Sequence, residues 1–267
     1  MLNIQIIFVL FLTFTINFIG IACLATRIVG VWTRKLASSS SLFNIILLIS
    51  QFAGSFQAPL LTKFVETDIL KGNEPSNGIF RLIIFSATIG SLMGGISIPT
   101  IQRFMERGVN SLYKNNSVFM VVVKNLKFST INHFKNSIKM PDKGNFLRLL
   151  KFKDMRMGVI LLNIFVYSFT TVSVLSCLYA GYLNPSLRTT ALSMSGIANG
   201  LGTIGLMLFI EPYNSILTDK VIEGSVSEAY FRRYLSLVVL ARFFGTILGQ
   251  FTFIPLAQLV TKLASFI

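Results

Sequence analysis

The sequence predicts an all-α integral membrane protein: six transmembrane helices arranged as a 3+3 inverted-topology repeat. Three observations lead there. Hydrophobic residues make up 53% of the 267-residue chain and charged residues only 13%, with a mean hydropathy of +0.70. A soluble domain carries about a quarter charged residues. Six apolar runs are long enough to cross a bilayer, which takes about 20 residues each. The third observation is internal similarity. Cys23-Leu24 is matched by Cys177-Leu178, Arg34 by Arg188, Ala37 by Ala191, Ser39 by Ser193 and Ser41 by Ser195, all 154 residues apart. Further on, Gly90 and Gly94 match Gly245 and Gly249, and Pro99 and Gln102 match Pro255 and Gln258. Gly- and Ser-rich membrane helices also resemble one another by composition alone. Against that reading, these matches keep their order and a near-constant offset. Each copy holds three spans, and an odd number forces the second copy to enter from the opposite side.

The runs are Leu2–Ala25, Leu36–Leu61, Ile79–Ile101, Met157–Leu183, Thr189–Ile210 and Tyr234–Val260. The first has no Lys or Arg ahead of it and exceeds the length of a signal-peptide core, so it reads as a span rather than a cleaved leader. Residues 1–105 then form the first three-span repeat, 106–156 a basic cytoplasmic amphipathic loop, and 157–267 the second repeat.

Charge sets the expected orientation. Residues 102–156 hold twelve Lys/Arg against Glu106, Asp142 and Asp154. Basic loops stay in the cytoplasm. Placing this one inside also places 27–35 and 211–233 inside, so that eighteen of the 24 basic residues share one side and both termini face outward. The net charge of +14 is thus mainly a topology signal, and no nucleic-acid partner is expected. Within the loop, Phe119, Val122, Val123, Leu126, Ile131, Phe134 and Ile138 recur at roughly helical spacing among Lys and Asn. They suit one or two amphipathic helices on the anionic inner leaflet. Met140 to Asn145 supplies a turn.

Catalytic chemistry finds little support. The single histidine, His133, lies in the basic loop, so no metal site, cofactor or His-based triad is expected. Cys23 and Cys177 sit inside apolar runs as small buried side chains. Functional polarity is concentrated in two spans. Ser41, Asn44, Gln51 and Ser55 form a stripe along the second span, broken only at Leu48; the fifth carries Thr189, Thr190, Ser193, Ser195, Asn199 and Thr203. Lipid satisfies none of these groups, so they should face protein or a wet cavity. Two readings stand: packing contacts between helices, or a cavity at the repeat interface. Gly90, Gly94, Gly245 and Gly249 fit the packing reading, because glycine lets backbones approach.

Arg242 is the one charge deep in a span, nine residues past Arg233, or about 13 Å at 1.5 Å per residue. Such a residue marks a functional site unless it snorkels or pairs, for instance with Glu211. Arg27, Arg34 and Lys35 cluster at the mouth of the second span, where guanidinium forks suit an anionic head group. The candidate binding residues are therefore Arg27, Arg34 and Arg242 for anionic groups, and Asn44, Gln51, Ser195 and Asn199 for polar ones.

Three segments carry a family resemblance: RIVGVWTRKLASSSSLFNIILLISQFAGSFQAPLLTKFVE from Arg27 to Glu66, LSMSGIANGLGTIGLMLFIEPYNSILTD from Leu192 to Asp219, and ARFFGTILGQ from Ala241 to Gln250. They resemble the alternate lipid II flippase family (Amj), as do the length and the six-span layout. The resemblance implies a multi-pass protein of the bacterial cytoplasmic membrane. It implies a lipid-linked peptidoglycan precursor as partner, moved from inner to outer leaflet for cell-wall synthesis, and no enzyme activity. It assigns no individual binding residue. Carrying a diphosphate and a sugar-peptide across about 30 Å of hydrocarbon calls for a polar groove with cationic groups, open to membrane lipids for the polyprenyl tail. Six spans make a thin wall around so large a head group, which favours a homodimer. A small-solute or ion transporter of the same repeat type is the alternative. It would prefer a titratable Asp or Glu in mid-span, and none is present. A lipid-modifying membrane enzyme would need clustered acids or histidines, and only Glu211, Asp219 and Glu223 come near that pattern.

Overall fold

The computed structural model describes residues 4–115 and 155–267. Six helical stretches in it are long and apolar enough to cross a membrane, so the chain is a multi-pass, all-helical membrane protein. The stretch from Phe119 to Ile138 and the turn at Met140 to Asn145 lie outside the described residues.

The first span is α1 (Ile4–Ala22) followed by α2 (Leu24–Thr33), with a break at Cys23. The turn tightens there. Thr26 N–H donates three residues back to the Cys23 carbonyl at 3.0 Å, and the Thr26 hydroxyl donates to the same oxygen at 2.7 Å. α2 ends at Arg34, the one non-glycine residue in the left-handed region among those described (φ 54°). This conformation lets its N–H reach the Gly30 and Val31 carbonyls. Gly30 permits the close return of the chain, because a Cβ there would lie 2.7 Å from Ser39 Oγ.

The second span, α3 (Leu36–Leu70), is one continuous helix through Pro59. Gly72 (φ 70°) turns it into the third, α4 (Gly78–Asn115). α4 runs past Ile101, so residues 106–115 of the basic segment are helical. The fourth span is α5 (Met157–Leu183). A 3₁₀ turn, Pro185–Leu187, leads into the fifth. That span has three parts: α6 (Arg188–Gly205), a π-helical turn (Leu206–Ile210) and α7 (Glu211–Ile222), with Pro212 in the first turn of α7. Gly224 (φ 79°) turns the chain into α8 (Glu228–Phe266), whose first turn is capped by the Ser227 hydroxyl accepting from Tyr230 N–H.

The two largest apolar clusters each draw on both halves of the chain. In one, Phe80 of α4, Tyr179 of α5 and Phe253 of α8 form an aromatic triangle with centroids 5.2 to 5.6 Å apart. In the other, Leu24 and Ile28 of α2 pack among Leu217, Phe231, Tyr234 and Val238. The helices meet closely where glycines allow it. A Cβ on Gly90 would strike the Phe14 carbonyl. One on Gly94 would lie 2.9 Å from the Phe18 carbonyl, and one on Gly245 2.9 Å from that of Ile164. Gly249 would approach Val172 to 3.0 Å. These four glycines therefore do what the packing reading required, seating α4 on α1 and α8 on α5.

Candidate functional site

Coverage by protein differs sharply among the spans. Along their most apolar windows, the second and fifth are 11% and 17% buried, against 33% to 44% for the other four. The poorly covered pair is the one rich in polar side chains. On α3, Ser40, Ser41, Asn44, Gln51 and Ser55 are exposed; on α6, Thr189, Ser193, Gly196, Asn199 and Thr203 are exposed. Positions 189, 193, 196, 199 and 203 advance by three or four, so they lie on one side of the helix. A Cβ on Gly196 or Gly200 would meet no atom within 4 Å. The stripes are thus legible in the sequence, but they are not buried within a single chain.

Between the two helices lies a groove of about 470 Å³. Ala58, Pro59, Thr62, Lys63 and Glu66 of α3 form one wall, Leu192 and Ser195 of α6 the other, and Val174 and Leu178 of α5 the floor. One end is closed by an ion pair between Arg188 and Glu66. Close by, the Tyr182 hydroxyl donates to Asp68, which also accepts from Asn73 at 2.6 Å. Along α5 and α8 lies a separate apolar groove of about 770 Å³, lined among others by Phe165, Phe169, Phe251 and Leu259.

Past the π-helical turn of the fifth span is a second polar centre. Arg27 of α2 pairs with Glu211, the first residue of α7, and its guanidinium lies 5.0 Å from the Phe43 ring centre. Its Nε is buried without a hydrogen-bond partner. Arg242 of α8 donates to the Gly20 carbonyl, in the last turn of α1, and stacks 4.2 Å from the centre of the Tyr167 ring. A cation there also faces the negative end of the α1 dipole. Arg242, Glu211 and Arg27 all lie within electrostatic reach of Tyr167. Nearby, Tyr234 donates to Asn214 Oδ1 at 2.6 Å.

The predicted site residues fall into three places. Arg27 and Arg242 share the polar centre around Tyr167. Arg34 is exposed at the α2–α3 corner, while its neighbour Lys35 reaches Asn110 Oδ1 at 2.5 Å and the Tyr113 ring. Asn44, Gln51 and Asn199 lie on the exposed stripes, and Ser195 is half-buried in the groove wall. Arg242 does not use Glu211, which is taken by Arg27. Sequence reasoning missed Glu66 and Tyr167 as members of these centres. Arg188, matched to Arg34 by the repeat, was the available signal for the first. Tyr167 carried none, because its cation partner lies 75 residues away. Among the described residues, no group of three His, Cys, Asp or Glu could hold a metal ion.

No solved structure matches the chain. A lipid II flippase Amj of Bacillus subtilis (strain 168) is 31% identical over 264 residues, covering 97% of this chain and 96% of that protein. The model of the Amj family, described as alternate to MurJ, matches residues 12–264. With nearly its whole length covered by both comparisons, the chain belongs to the Amj family.

Proposed function

We propose that this protein is a lipid II flippase, moving the undecaprenyl-diphosphate-linked peptidoglycan precursor from the inner to the outer leaflet of the bacterial cytoplasmic membrane. The observation that carries the reading is full-length similarity to a protein of that activity. Flipping breaks and forms no bond, so the chain acts as a transporter and not as an enzyme.

The chain's own residues fit the task. The two halves form an inverted repeat. Its support is the matched sequence, the paired seating of α4 on α1 and α8 on α5 through Gly90, Gly94, Gly245 and Gly249, and a positive-φ glycine after the second span of each half. The basic segments 27–35, 102–156 and 211–233 face the cytoplasm, and both termini lie outside. Arg34, exposed at the inner corner, meets the diphosphate first, with Arg27 next. Arg242, carried on the best-covered span, holds the deepest cationic position. Guanidinium suits all three roles, because its planar fork binds phosphate oxygens two at a time. Asn44, Gln51, Ser195 and Asn199 line the path of the sugars. A polar face uncovered in one chain needs water, head group or a second copy beside it. The stripes of α3 and α6 therefore border an open wet path, which a homodimer would enclose.

The test is a leaflet-resolved assay of lipid-linked precursor in cells depleted of other flippases. Expression of this chain should restore precursor to the outer leaflet. Precursor that stays in the inner leaflet, at normal membrane levels of the protein, would refute the reading.

A further inference from the structure

Three ion pairs occur among the described residues, and one of them, Arg232–Glu228, is a local pair within α8. The other two join the halves of the chain, and both fasten the fifth span. Arg188 at its start holds Glu66 of α3, and Glu211 after its π-helical turn holds Arg27 of α2. From Arg188 to Glu211 is 23 residues, about 34 Å at 1.5 Å per residue. That is close to the roughly 30 Å thickness of the hydrocarbon core. One pair thus belongs near each membrane face, with the polar stripe of α6 between them.

The span between the pairs is lightly held. It is poorly covered by protein, and Gly196 and Gly200 face open space. The π-helical turn Leu206–Ile210 and Pro212 interrupt the regular ladder directly beside Glu211. The second span, its partner in the repeat, runs as one helix from Leu36 to Leu70. Arg27 is also incompletely engaged. It donates to Glu211 through Nη2, while Nε is buried with no partner. A phosphate oxygen would find an unused donor there and would compete with the carboxylate for the rest of the fork.

We propose that these two pairs are the gates of the transport path and that the fifth span is the moving element. On the flippase reading above, the incoming diphosphate displaces Glu211 from Arg27, the span swings at its π-helical turn, and Arg188–Glu66 opens at the opposite face to release the head group. Glu211, Glu66 and Arg188 are then positioning residues of transport, acting through the helix they hold.

The test uses the full chain with Cys23→Ala, Cys177→Ala, Glu66→Cys and Arg188→Cys, reconstituted in vesicles with fluorescent lipid-linked precursor. A short bifunctional methanethiosulfonate joins the two new thiols and a reductant releases them. Joined protein should flip at least about tenfold more slowly than reduced protein, a barrier higher by about 1.4 kcal/mol. Reduced protein is the reference for the joined form, so any change from losing the ion pair itself cancels in the comparison. Precursor should also lower the joining yield at 66/188, and precursor lacking the diphosphate should leave it unchanged. A purely structural pair would show no such response. Equal rates for joined and reduced protein would overturn the gate and leave the flippase reading intact. A wild-type chain that moves no precursor in the same vesicles would overturn both.

Discussion

The first, third, fourth and sixth spans differ from the second and fifth in what their small residues face. In the first group three glycines meet backbone. Gly90, Gly94 and Gly245 sit against the carbonyls of Phe14, Phe18 and Ile164. In the fifth span, Gly202 and Gly205 pack against Thr170 and Val166 of α5, while on its other side Gly196 and Gly200 meet nothing and exposed Ser, Thr and Asn run beside them. The first group supplies most of the two main apolar clusters, to which the second span adds Leu61 and Val65 and the fifth Leu217. The second pair keeps polar surface free at a depth where lipid offers no hydrogen bonds. On the proposed reading, stability and transport rest mainly on different helices, and substitutions should separate them.

The largest expected effect on folding is at the glycine contacts. Gly90→Leu and Gly245→Leu should each lower folded yield in detergent, with destabilisation at or above the roughly 1–3 kcal/mol of an overpacked core, because carbonyl oxygens cannot step aside as a side chain can. Thermal unfolding in detergent measures it. Gly196→Leu is the control and should leave melting unchanged. Equal losses at Gly245 and Gly196 would erase the distinction between the two groups.

Arg242 sharpens the comparison, because it belongs to the covered group and yet carries charge. Arg242→Ala should slow flipping by about a hundredfold, with membrane levels near wild type, and Arg242→Lys should recover part of the rate. A lysine keeps the charge but loses the planar fork that meets phosphate and stacks on Tyr167. Full precursor transport by Arg242→Ala at normal expression would make its bond to Gly20 a structural one only. Arg34→Ala should have a smaller effect, a few-fold loss in apparent affinity for precursor, because Arg27 and Lys35 remain. Dose–response in the vesicle assay reads it.

Orientation gives a qualitative check on both groups at once. Single cysteines at Asn73 and Ser265 should react with impermeant thiol reagent on intact cells, and one at Ser225 should not. All three positions are exposed, so labelling reports sidedness and not burial. The reverse pattern would invert the proposed direction of the path.

Much of the architecture was legible because lipid imposes long apolar runs and glycine contacts recur at matched positions. The spans proved longer than their apolar runs. Lys63, Glu66 and Asp68 continue α3 beyond Leu61, where hydropathy alone stops counting. The break at Cys23 and the π-helical turn at Leu206–Ile210 were not legible. Neither segment carries a proline inside it to mark the place. Ion-pair partners were the hardest to read. Glu211 is 184 residues from Arg27, and Arg188 is 122 from Glu66, so only the folded bundle chooses between candidate bases. The polar stripes were visible at helical spacing, but their exposure was not, since pattern tells which residues share a face and not what lies opposite.

The central claim is that the polar stripes of the poorly covered second and fifth spans line the path of the sugars while the other four spans hold most of the fold. It is tested most directly by making the stripes apolar and measuring transport and stability on one sample. A chain with Asn44→Leu, Gln51→Leu and Asn199→Leu, reconstituted in vesicles, should keep the wild-type melting temperature in detergent, because all three side chains are exposed. Its rate of precursor flipping should fall by at least about tenfold. Wild-type flipping in that variant would contradict the account.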